Sequence, residues 1–222
     1  MELKNKKIVF LGDSITEGHG VEKPENRYVD RVANLTGAIC KNFGISGTRI
    51  AKQTIPSPTE RYDQDFISRV DEMDADADVV IVFGGTNDWG HGDAKIGSFD
   101  NRDEYTFYGA LHTLYTKLIE KYPASQIVVL TPLHRTNEAG PVIRPEMPQS
   151  NKALPLKYYV EIIREMAEYY SIPVLDLFKT SGIQPEIPVI KEKYIPDGLH
   201  PNDEGHKLLA NRIIKFLETL KG

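Results

Sequence analysis

Residues 8–18 read IVFLGDSITEG, and the fold turns on how the apolar run before Gly12 is understood. Ile8, Val9, Phe10 and Leu11 follow one another with no polar alternate, the pattern of a strand buried on both faces of a parallel sheet rather than half-solvated. The run breaks at Gly12 and delivers Asp13 and Ser14 into a polar turn. A serine just after a strand is often a helix N-cap, so Ser14 carries two readings, nucleophile or cap. It does not sit in the G-x-S-x-G elbow of α/β-hydrolases, because Thr16 stands where the second glycine would be.

Similar runs recur along the chain: AICKNFG (38–44), ADVVIVFGG (77–85), SQIVVLTPL (125–133) and IPVLDLF (172–178). Helical spacing fills the intervals at 26–36, 58–73, 104–122, 155–170 and 203–220. Alternating strands and helices predict one α/β domain over residues 1–222, with about five parallel strands sandwiched between helices. Residues 134–154, with three prolines and little periodicity, read as a long loop that either lines the site or is a solvated excursion. The acidic run DEMDADAD (71–78) lacks the glycine and terminal glutamate of a calcium loop and reads as a solvated helix end.

The 222 residues are 40% hydrophobic and 27% charged, an ordinary composition for a soluble globular protein that needs no disulfide or structural metal. A net charge of −5 provides no basic face for nucleic acid. The lone Cys40 lies inside an expected strand and reads as an inert thiol. The N-terminal residues lack a secretory h-region, and no segment approaches the ~20 apolar residues of a membrane span. The expectation is a cytoplasmic protein with neither a membrane nor a nucleic-acid partner; the sequence gives no signal for an oligomeric state.

In an open parallel sheet, ligands gather beyond the carboxyl ends of the strands. Asp13 and Ser14 follow the first strand, Gly44, Ser46 and Gly47 the second, and Gly84, Gly85, Asn87 and Asp88 the third. IPDGLHPND near the C-terminus adds Asp197 and His200. A serine hydroxyl needs an adjacent base, histidine suits that task, and a carboxylate must orient the imidazole. Asp197 and His200, three residues apart in a glycine-containing turn, can supply both from one loop. The N–H groups of Ser14 and Gly47 and the amide of Asn87 are candidate oxyanion donors. Singly each signal is weak; their order after successive strands gives the set its weight.

These residues resemble the SGNH hydrolase superfamily, also called the GDSL lipase/acylhydrolase family, from GDS at 12–14 through NFGISG and GGTND to DGLHP at 197–201. The resemblance implies a flavodoxin-like three-layer α/β/α sandwich. It implies Ser14 as nucleophile, Gly47 and Asn87 in the oxyanion hole, and Asp197 with His200 completing the triad. It implies hydrolysis of carboxylic esters or thioesters of a small-molecule substrate, without cofactor or metal. Trp89, His91 and His134 are candidate substrate contacts on loops beside these blocks, with packing of their loop as the other reading for Trp89 and His91. Asp13 reads as a structural residue, stabilised near a helix N-terminus. His19, His112 and His206 read as surface residues.

With little chain beyond the core fold, a large lid for long acyl groups is not expected. A short acyl group such as acetyl, on a carbohydrate or other small alcohol, is therefore favoured. A longer-chain lipase, lysophospholipase or thioesterase is the alternative within the family. From other classes, a flavin- or nucleotide-binding module would need GDSITEGHG as its phosphate loop, where Asp13 and Glu17 repel phosphate. A non-catalytic carbohydrate-binding protein and a metal hydrolase using Asp13, Asp88 and His200 complete the alternatives.

Overall fold

Five apolar runs pair into one parallel sheet in the order β2-β1-β3-β4-β5. The computed structural model describes residues 1–140 and 154–220. Along the chain the elements are β1 (Lys7–Gly12), α1 (Ser14–Glu17), α2 (Tyr28–Thr36), β2 (Ile39–Gly44), α3 (Phe66–Arg69), β3 (Val79–Phe83) and α4 (Thr86–His91). They continue with α5 (Phe107–Lys121), β4 (Gln126–Leu130), α6 (Leu156–Tyr169), β5 (Val174–Leu175), α7 (Leu177–Thr180), α8 (Pro188–Tyr194) and α9 (Asp203–Thr219).

Strand pleating divides the apolar residues between two cores. Ile8, Phe10, Val79 and Ile81 face Tyr28, Val29 and Val32 of α2 and Leu209, Ile213 and Leu217 of α9. Val9, Leu11, Val80 and Val82 face Phe66 of α3, Phe107 and Leu114 of α5, and Val160 and Ile163 of α6. Burial on both faces is why β1 and β3 read as unbroken apolar runs. β2 is the edge strand and half-exposed, which explains the polar Lys41 and Asn42 in ICKNFG.

The register sets where the chemistry emerges. Gly12 pairs with Gly44 on one side and with Phe83 on the other, so β1, β2 and β3 end level. Asp13–Ser14, Ile45–Gly47 and Gly84–Asn87 therefore leave the sheet along one rim. Arg69 fastens that rim from beneath: Nη1 donates to Phe43 O at 2.6 Å, and Nη2 to Gly12 O at 3.1 Å and Thr48 Oγ1 at 2.8 Å. Burial drives its guanidinium pKa down to about 10.

Three local expectations change. The helix expected over 58–73 is a 3-10 turn at Glu60–Asp63, the single turn α3 and a second 3-10 turn at Val70–Glu72. Asp65 caps α3 through Ser68 N at 2.8 Å, and the chain is already extended at Met73. The acidic run 71–78 is not simply solvated: Asp74 and Asp78 pair with Lys41 and Lys6, and Asp76 with Lys7, along the lower edge of the sheet. The last strand shrinks to Val174–Leu175 because Asp176 leaves the ladder to cap α7, accepting from Lys179 N at 3.1 Å.

Candidate active site

The two readings of Ser14 separate at its neighbour. Asp13 is the N-cap of α1, its Oδ1 accepting from Ile15 N at 3.0 Å. Ser14 is the first helical residue, so its hydroxyl is not used for capping. The helix closes after one turn at Gly18, whose φ of 104° lets its N–H return to Ser14 O at 3.0 Å. This short, capped turn fixes the serine at the end of β1. Burial pushes the Asp13 carboxyl up to about 6 against the bond from Ile15 N–H and the pull of His200 and Arg69.

The hydroxyl meets an imidazole from the far end of the chain. Ser14 Oγ lies 3.0 Å from His200 Nε2, and His200 Nδ1 lies 2.6 Å from Asp197 Oδ2. A proton on Nδ1 bonded to the carboxylate leaves Nε2 as the acceptor for the serine hydroxyl. Asp197 Oδ1 also accepts from Leu199 N at 2.8 Å and His200 N at 2.7 Å. Partial burial opposes ionisation of Asp197, but the His200 side chain and the two N–H groups prevail and hold its pKa well below the ordinary carboxylate range. The turn requires Gly198: its φ is 81°, and a Cβ there would lie 2.4 Å from Thr136 Oγ1.

Gly47 and Asn87 come from the ends of β2 and β3. Gly47 has φ 78°, and a Cβ would lie 2.2 Å from the Tyr62 ring. The N–H groups on either side of it are committed, Ser46 N to Glu17 Oε2 at 2.7 Å and Thr48 N to Ile45 O at 3.4 Å. Asn87 Nδ2 donates to Thr48 O at 3.0 Å, which sets the amide plane while an NH₂ group retains a second proton to give. Asp88 accepts from Ile50 N at 3.0 Å and Ala51 N at 2.9 Å, tying α4 to the segment after Gly47. Burial raises the Asp88 carboxyl to about 6.

The other sequence candidates are Trp89, His91 and His134. Trp89 belongs to the α5–α6 core: its Nε1 donates to Leu154 O at 2.8 Å, and Arg135 stacks over its ring. His91 is buried with Nδ1 2.9 Å from Arg49 Nη1. His134 stacks on Phe178 and bonds Glu138 Oε1 at 2.6 Å. All three positions have packing or hydrogen-bonding partners within the fold. Of the 134–154 loop, residues 141–153 lie outside the described residues. His112 and His206 are not on the surface. His112 is buried between Tyr170 Oη and Phe99 O, both at 2.8 Å, and His206 is buried with Nδ1 accepting from Tyr28 N at 3.0 Å.

Sequence reasoning gave no site role to two neighbours of the candidate site residues. Tyr62 packs on Gly47, and the exposed His19 ring lies against His200 with centroids 4.2 Å apart. The signal for His19 was its place between Gly18 and Gly20, a turn that can carry a side chain back over the helix it follows. The set Asp13, Asp88 and His200 does not gather among the described residues, where both carboxylates accept from backbone N–H groups. Among the described residues, the side chains that gather as metal ligands are His19, Asp197 and His200. Among them, too, no helix is long and apolar enough to cross a membrane.

A hydroxyl, an imidazole and a carboxylate in hydrogen-bonded line above the ends of parallel strands are the arrangement of serine hydrolases. The chain belongs to the GDSL-like lipase/acylhydrolase family, whose model matches residues 10–208. A solved structure at 32% identity superposes over 100% of both chains with a TM-score of 0.86. A Lactobacillus plantarum protein of 28% identity does so over 99% of this chain and 100% of its own, with a TM-score of 0.83. A curated relative, an acetylxylan esterase of Xylanibacter ruminicola, is 25% identical over 93% of this chain. The chain spans 42% of that relative's length.

Proposed function

We propose that this family member is a serine esterase acting as one unit over residues 1–222, and that it removes short acyl groups, acetyl above all, from a carbohydrate or other small alcohol. The hydrogen-bonded line from Ser14 through His200 to Asp197 carries the reading. His200 Nε2 takes the Ser14 proton as Oγ attacks the ester carbonyl carbon. The resulting oxyanion is met by Ser14 N–H, Gly47 N–H and the Asn87 amide. His200 then gives its proton to the leaving alkoxide as the carbonyl–oxygen bond breaks. Water, deprotonated by His200, attacks the acyl-serine and releases the acid. Asp197, held ionised, stabilises the imidazolium formed in each half.

Two observations support a small acyl group. The Tyr62 ring packs against Gly47, a candidate oxyanion residue, and a curated relative is an acetylxylan esterase. The test is a rate series on p-nitrophenyl esters from acetate to palmitate, followed by acetylated xylo-oligosaccharides. We expect kcat/KM to fall steadily with acyl length and acetate to be released from the sugars. A maximum at palmitate would overturn the acyl assignment.

A further inference from the structure

We propose that His19, Asp197 and His200 form an inhibitory binding site for a zinc-type divalent cation at the mouth of the proton relay. His19 has no part in the ester chemistry, yet the fold holds it there. Left-handed Gly18 and Gly20 flank it, with φ of 104° and 97°. A Cβ on Gly20 would lie 2.6 Å from Pro201 O and 3.4 Å from His200 Cβ, so the two turns are in direct contact. His19 N donates to Ser14 O at 2.8 Å, and Glu22 N and Asn26 Nδ2 bond Asp203 at 3.0 and 2.6 Å, which fastens the segment to the start of α9. The backbone is fixed and the His19 side chain is exposed.

One ligand atom from each of the three residues lies within 4.8 Å of the other two. Tetrahedral zinc, with bonds of ~2.0–2.1 Å, sets its ligands about 3.3 Å apart. Rotation of the exposed His19 side chain can shorten that gap, while Asp197 Oδ2 and His200 Nδ1, 2.6 Å apart, exchange their hydrogen bond for the wider ligand spacing. Two imidazole nitrogens and a carboxylate oxygen, with a fourth position open to water, suit zinc, whereas magnesium and calcium favour all-oxygen sites. Coordination occupies one ring nitrogen of His200. It therefore breaks the bond to Ser14 or, with loss of the Nδ1 proton to water, the bond to Asp197, and either stops the relay.

The inhibition rests on the esterase reading, but cation binding does not, and the experiment separates them. ZnCl₂ titrated calorimetrically into the full chain should bind one equivalent, and MgCl₂ should give no binding heat. His19→Ala, with His19→Asn as a second variant, should weaken zinc binding at least ~10-fold, a loss that removing even an outer-shell partner of a metal site can cause. In p-nitrophenyl acetate assays, zinc should inhibit the wild type reversibly on EDTA addition. His19→Ala should keep its basal rate and need at least ~10-fold more zinc for the same inhibition. Equal zinc affinity in wild type and variant, or no zinc binding to the wild type, overturns the site. Zinc bound through His19 by a protein that hydrolyses no ester would uphold the site and overturn the esterase reading.

Discussion

Replacing Ser14 by alanine removes one hydroxyl from a turn whose cap is its neighbour Asp13. Ser14→Ala should therefore keep its melting temperature while kcat falls at least ~10³-fold, checked by steady-state kinetics beside a thermal melt. Asn87→Ala should lower kcat by roughly 10²–10³, with KM changing less, if its amide meets the oxyanion. That variant also loses the bond to Thr48 O. A lowered melting temperature with unchanged kcat would assign Asn87 to structure alone. The meeting of Ser14, Asp197 and His200 was legible in the sequence because polar, chemistry-bearing residues follow successive strands and share one proline-bounded turn, an order that gives weight to signals weak on their own. The surroundings of Trp89 and His91 were not legible in the sequence, for a physical reason. An aromatic or imidazole on a short segment looks the same in sequence whether it faces solvent or, as here, the Leu154 carbonyl or the Arg49 guanidinium.

Elements matter here mainly for where they stop. The turn after β2 holds Gly47 in the left-handed region against the Tyr62 ring. Gly47→Ala meets two obstacles at once, a backbone preference of about 1–2 kcal/mol and a steric clash with the ring. The variant should be destabilised and nearly inactive. Adding Tyr62→Ala should recover part of the stability but not the backbone share, a non-additivity that a double-mutant cycle on urea midpoints would measure. The long helices α5, α6 and α9 were legible because their apolar stripes run three turns or more. The stretch 58–73 was not, since Phe66, Val70 and Met73 keep helical spacing across turns that Asp65 interrupts by capping a new helix at Ser68 N and Arg69 by tertiary hydrogen bonds. The length of β5 was equally hidden, because Asp176 reads as a strand residue until its bond to Lys179 N is seen.

Across the whole molecule, buried ionisable groups pull stability in opposite directions with pH. Burial lowers the His206 imidazole to about 4. Between pH ~6.5 and 4 the unfolded chain therefore binds a proton that the folded one refuses, and stability falls as pH drops. Asp13 and Asp88, raised to about 6 by burial, act oppositely: the folded protein takes up their protons first, and that contribution is lost as pH rises toward 6. His206→Asn, which can still accept from Tyr28 N, should lose less stability than the wild type between pH 7 and 4. Urea denaturation at each pH checks the difference, and parallel curves would remove His206 as its source. The Ser14–His200 contact joins atoms 186 positions apart in the chain. Such distant contacts are made late when a protein refolds. After dilution from denaturant, helical circular dichroism should return before fluorophosphonate labelling of the serine does. A proteolytic clip between α8 and α9 that let the tail drift should extinguish labelling and also uncover the face of the sheet that Leu209, Ile213 and Leu217 help to bury.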